Sequence, residues 1–101
     1  MARRYLFVKI VCDRKLTNEQ FHETMDKAAK RYFGELGISR IDPRIMKFDV
    51  DSSTAILSCE RGAISEFESA LTLITGSPEV PISVLVLRVS GTIKGAAKAA
   101  K

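Results

Sequence analysis

The stretch Ile82-Ser83-Val84-Leu85-Val86-Leu87-Arg88-Val89-Ser90-Gly91-Thr92-Ile93-Lys94 decides how this chain is read. Val84 to Val89 is too apolar for a solvated loop and too rich in β-branched residues for a comfortable helix. It predicts a central or near-central strand ending at Ser90-Gly91. From Arg88 onward the chain carries four basic side chains (Arg88, Lys94, Lys98, Lys101) and no acid, which equals its whole formal net charge of +4. The residues before Arg88 sum to zero, and the expectation is a single domain over 1–94 that releases a short basic tail over 95–101.

Working back from that strand, Pro81 stands near its start, where a missing N–H does least damage. Before it, Ile64, Phe67, Leu71 and Ile74 share one helical stripe, which predicts a helix from Gly62 to about Thr75, stopped by Gly76-Ser77-Pro78. Ile41 to Val50 and Thr54 to Glu60 alternate as strands around the polar link Asp51-Ser52-Ser53, a hairpin pattern. At the other end, Arg4 to Cys12 alternates with Leu6, Val8, Ile10 and Cys12 toward a core and Tyr5, Phe7, Lys9 and Val11 away from it. A helix then opens at Thr17, where Thr17-Asn18-Glu19-Gln20 fits a capping box. Phe21, Met25, Ala28, Ala29, Tyr32 and Phe33 form its apolar stripe, Glu23–Lys27 and Asp26–Lys30 are spaced to pair, and Gly34 or Gly37 closes it.

The resulting order is β-α-β-β-α-β, an α+β class: a ferredoxin-like or RNA-recognition-like sandwich, with a four-stranded antiparallel sheet and two helices on one face. That topology sets the first and last strands side by side and antiparallel. Arg3 and Arg4 are then expected next to Arg88 and Lys94, with Lys98 beyond, as one basic patch. Arg14, Lys15, Arg40, Arg44 and Arg61 are further cations on loops. The uncovered sheet face is expected to hold Tyr5, Phe7, Val11, Ile45, Ile56, Val84 and Val86. So large an apolar surface on a small monomer marks these residues as a partner-binding face. Aromatic side chains there would also suit base stacking, although an RNP1-type sequence is absent.

At 101 residues with 46% hydrophobic content, the chain is long enough for one modest core. A pI near 9.3 makes nucleic acid the first partner to consider. Cys12 and Cys59 sit in apolar runs without metal-ligand spacing and read as buried free thiols of a reducing, cytoplasmic setting. No apolar run reaches the ~20 residues of a membrane helix, and Met-Ala-Arg-Arg leads straight into a strand. Catalytic signatures are missing as well. His22 stands alone with Asp26 as its expected neighbour, Asp49 and Asp51 read as turn residues rather than a cation site, and the glycines form no phosphate loop. No catalytic residue and no metal site are assigned. A competing reading from the fold is a small-molecule-binding or acylphosphatase-like domain, but Asp13-Arg14-Lys15-Leu16 lacks the glycines of a phosphate cradle.

RYLFVKI at 4–10, FGELGIS at 33–39, PRIMKFDVDSSTAILSCERG at 43–62, SALTLITG at 69–76 and RVSGTIK at 88–94 together resemble ribonuclease P protein component 2, of archaeal and eukaryotic type, in order over most of the chain. The resemblance implies an RNA-recognition-like fold and an RNA-binding subunit that supports a catalytic RNA in removing 5′ leaders from precursor tRNA. It implies no catalysis by this chain and no cofactor bound by it, Mg²⁺ being required by the RNA. The implied protein partner is the TIM-barrel-like component 3, in an assembly that can hold two copies of each.

Overall fold

The computed structural model describes residues 2–74 and 81–97; the expected Gly76-Ser77-Pro78 stop and Lys98 lie outside the described residues. Along the chain run β1 (Arg3–Cys12), α1 (Asn18–Ile41), β2 (Arg44–Asp49), β3 (Thr54–Glu60), α2 (Ile64–Thr72), β4 (Ile82–Ser90) and α3 (Ile93–Ala97). The strands form one antiparallel sheet in the order β2-β3-β1-β4, so β1 and β4 are neighbours although they lie at opposite ends of the sequence.

The core lies between the sheet and the helices α1 and α2. Leu6, Val8 and Ile10 of β1, Leu57 and Cys59 of β3, and Val84 of β4 meet Phe21 and Ile41 of α1 and Phe67 and Leu71 of α2. Phe21 is fully enclosed and stacks on Phe48 with ring centroids 4.3 Å apart. The capping box closes as its residues require: Gln20 N–H donates to Thr17 Oγ1 (3.1 Å) and Thr17 N–H to Gln20 Oε1 (3.0 Å). This satisfies two N–H groups that the first helical turn otherwise leaves orphaned. Lys27 and Lys30 pair with Glu23 and Asp26 on the solvent side. His22 departs from the expected partner: its Nδ1 lies 2.9 Å from the Asn18 carbonyl oxygen, one turn back, and not on Asp26.

Gly34 interrupts α1 with φ 69° and ψ 177°, a conformation open essentially to glycine alone. The chain then resumes helical geometry up to Ile41, so Ile41 is a core residue of the helix and β2 starts only at Arg44. Asp42 caps the helix in the left-handed region (φ 50°), its N–H bonded to the Ile38 carbonyl at 2.7 Å. At the β2–β3 turn the Asp49 carboxylate accepts from the N–H groups of Asp51 and Ser52. The Ser52 bond foremost holds the Asp49 carboxyl below its usual range.

Three expected facings are inverted. Val84 and Val86 pair with Ile10 and Val8, and Ile45 pairs with Leu57, so all three turn toward the helices. In a strand where both parities are apolar, alternation leaves the choice of inner face open; pairing with β1 makes it. Register shifts at Phe7/Val8 against β4 and at Ile45/Lys47 against β3 also break strict alternation, which lets Ile45 and Phe48 both face the core.

The expected tail is corrected over 95–97, its remainder lying outside the described residues. Ile93 to Ala97 fold into α3, which lies on the face opposite α1 and α2, against β1, β3 and β4. The reason is the apolar surface waiting there: Phe7 and Ile56 are 5% and 6% exposed, and they enclose Ala96 completely. The protein thus covers part of its own open face.

Candidate nucleic-acid interface

Register fixes which side chains share that second face. Tyr5 pairs with Ser58 and Ser90, Phe7 with Ile56 and Arg88, and Lys9 with Thr54 and Leu85. On β2, Arg44 pairs with Ser58 and Lys47 with Ile56. The centre is therefore Tyr5, Phe7, Ile56 and Ser58, capped by α3, and around it stand Lys9, Arg44, Lys47 and Arg88, all exposed.

Arg3 belongs to this face but is committed inward. Its guanidinium donates to Ser58 Oγ (2.8 and 3.3 Å), to the Asp42 carboxylate (2.8 Å) and to the Asp42 carbonyl (2.7 Å), leaving the side chain 15% exposed. Ser58 is fully buried, so these bonds satisfy a hydroxyl that would otherwise have been desolvated for nothing. Arg44 donates to the same carboxylate oxygen at 3.0 Å. Two arginines on one aspartate leave this corner with a surplus of positive charge, most of it on the more exposed Arg44.

Arg4 faces the other way in the strand, and its guanidinium lies against Gly91, where a Cβ would come within 3.1 Å of it. The ends of β1 and β4 do meet, as the topology required. Arg61 is drawn to the same end, since its N–H donates to the Ala2 carbonyl at 3.2 Å. Lys94 is exposed on α3. One end of the sheet thus gathers Arg3, Arg44 and Arg88 on the open face, with Glu60 directly across from Arg3, Arg4 on the face behind, and Arg61 and Lys94 just beyond the strand ends.

The remaining expected cations are not brought there. Arg14 and Lys15 follow the far end of β1, roughly 30 Å away at the usual rise per strand residue. Lys15 lies 3.7 Å from Asp51 there. Leu16, in the same loop, is buried, so this segment is a packed turn and not a phosphate cradle. Arg40 is held by Glu66 at 2.7 Å on the helix side; that hydrogen bond raises the guanidinium pKa and lowers that of the carboxyl.

Of the seven residues expected to form an apolar partner face, Tyr5, Phe7 and Ile56 lie on the open face but beneath α3. Val11 is exposed, while Ile45, Val84 and Val86 belong to the helix side. The exposed apolar groups instead include Leu85, Leu87 and Val89 on β4, an edge strand. Lys9 and Lys47 were missing from the expected cations, although the alternation of β1 already grouped Lys9 with Phe7. Among the described residues no cluster of three or more His, Cys, Asp or Glu side chains is placed to hold a metal. Both cysteines are free, and burial pushes the Cys59 thiol up to about 11. No helix of the described residues is long and apolar enough to cross a membrane. A cavity of about 730 Å³ opens on the helix side between α1, α2 and β2, lined mainly by apolar groups such as Met25, Phe33, Met46 and Leu71.

Fold and surface together define a split β-α-β sandwich with a cation-rimmed sheet face, the class to which many RNA-recognition domains belong. The chain belongs to the Rpp14/Pop5 family, whose pattern it matches over residues 4–101. It is 32% identical over 92 residues to ribonuclease P protein component 2 of Pyrococcus furiosus, covering 91% of this chain and 77% of that one. Against the protein of the same name from Methanocaldococcus jannaschii the identity is 32% over 94 residues, with 93% and 69% covered. A chain in the cryo-EM structure of yeast ribonuclease MRP has the same fold, with a TM-score of 0.72 at 17% identity over 90% of this chain and 75% of that one.

Proposed function

We propose that this chain is an RNA-binding protein subunit of ribonuclease P, supporting a catalytic RNA in the removal of 5′ leaders from precursor tRNA. The single observation that carries the reading is the gathering of Arg4, Arg44, Arg61, Arg88 and Lys94 at one end of the sheet in a member of the Rpp14/Pop5 family. Cations presented this way neutralise phosphates and release counterions, which holds folded RNA together without reading its sequence. The chain itself is non-catalytic; Mg²⁺ serves the RNA. A TIM-barrel-like component 3 is the protein partner, in an assembly with two copies of each, at work in the cytoplasm. The exposed Leu85, Leu87 and Val89 of the edge strand β4 suit that contact better than the covered sheet centre.

Exchanging Arg88 and Lys94 for Glu tests the phosphate role. RNA affinity should fall for all sequences, and the slope of log affinity against log salt should flatten by about one for each phosphate no longer neutralised. An unchanged slope refutes the assignment of these two residues.

A further inference from the structure

The centre of the open face combines features that a permanent core patch does not need. Tyr5 and Phe7 lie on β1, and Ile56 and Ser58 on β3, the two inner strands. Aromatic groups on the inner strands of such a sheet are what single-stranded RNA uses to stack its bases. Here α3 lies over them.

The hold of α3 is slight for what it hides. The five described residues of α3 are too few to form a stable helix in isolation, so its docking is what holds it. Docking is made through the methyl groups of Ala96 and Ala97, while Ile93, the largest apolar side chain of the helix, is 43% exposed. The hinge is built from small residues. Thr92 N–H donates to Ser90 Oγ, Gly95 N–H to Thr92 Oγ1, and a Cβ on Gly95 would collide with Ser90 Oγ. Charge also works against closure, because α3 brings Lys94 and no acid to a face on which Lys9, Arg44, Lys47 and Arg88 outnumber Asp49 and Glu60.

We propose that α3 is a displaceable cover over a binding site for single-stranded RNA, in which Tyr5 and Phe7 stack bases and Lys9, Lys47 and Arg88 hold the flanking phosphates. The proposal rests on the RNA-binding reading and adds to it base stacking on the sheet, with Arg88 shared between this site and the phosphate-neutralising cluster at the end of the sheet. Phosphate relieves the repulsion between cover and rim, and stacking replaces the apolar surface that α3 gives up on opening.

Full-length Ala96→Glu is the decisive variant. Ala96 is 0% exposed, so a glutamate cannot be seated and α3 must lift. By charge alone this substitution weakens RNA binding. The cover predicts the reverse: affinity for a fluorescein-labelled octauridine rises about tenfold, as expected for a site otherwise open about a tenth of the time. Lys94→Glu, which changes charge in the same direction while leaving the methyl groups docked, should lower it. Adding Tyr5→Ala to Ala96→Glu should cancel the gain. In the wild-type protein, octauridine should speed hydrogen exchange at the amides of Gly95 and Ala96, a readout that decides the matter even if Ala96→Glu fails to fold. Equal or weaker octauridine binding by folded Ala96→Glu, slower exchange at those amides, or no octauridine binding by either protein overturns the cover. A gain for an apolar peptide in place of octauridine overturns it too. If the wild type still binds duplex RNA with a normal salt slope in those cases, the cover alone falls; if it binds no RNA at all, the functional reading falls with it.

Discussion

Arg3 separates the two uses a surface arginine can have. From its position in the sequence it reads as a phosphate ligand, but in the structure its guanidinium is spent on Ser58 and Asp42. Arg3→Met keeps the stem and removes the donors. Ser58 Oγ, on a fully buried residue, then has no partner, which costs about 1–3 kcal/mol. Asp42 keeps Arg44 and some solvent, so its carboxylate loses less than about 1 kcal/mol, although its left-handed backbone loses the bond to its carbonyl. The expected sum is about 2–3 kcal/mol, a shift of roughly 1–2 M in the urea midpoint. Far-UV circular dichroism during urea titration measures it, and Ser58→Ala added to Arg3→Met should recover part of the loss by removing the orphaned hydroxyl. The salt slope of RNA binding should stay where it was. A midpoint equal to wild type together with a slope reduced by about one would refute the argument and return Arg3 to the phosphate ligands.

Two further outcomes follow from single geometries. Gly34→Ala should destabilise by about 1–3 kcal/mol in a thermal melt, entirely through the backbone, because at φ 69° nothing lies within 4 Å of an added Cβ; equal stability would mean that α1 does not break there. The buried Cys59 thiol, raised to about 11, ionises later in the folded chain than in the unfolded one, whose thiol titrates near its ordinary value. Its contribution is complete below that ordinary value and is lost as pH rises through about 11, worth about 2–3 kcal/mol over the window. Urea midpoints measured from pH 8 to 11 should fall more steeply for wild type than for Cys59→Ala, and parallel curves would contradict this.

Local chemistry is enough for much of this fold. The capping box at Thr17 and Gln20, the stripe of Phe21, Met25 and Phe33, and the alternation of Leu6, Val8 and Ile10 each depend on neighbours within a turn or two, so they are legible in the order of the residues alone. The succession of those elements then puts β1 beside β4, and with it Arg4 beside Gly91.

What the sequence could not decide is how distant segments meet. In Val84-Leu85-Val86-Leu87 both parities are apolar, and only pairing with Val8 and Ile10 turns the valines inward and leaves the leucines out. Arg3 finds its partners 39 and 55 residues away, one of them on a residue whose left-handed backbone no local pattern announced. Ile93 to Ala97 has little helix-forming length of its own; it folds because Phe7 and Ile56, brought together by β1 and β3, offer a surface that buries Ala96 and packs against Ala97.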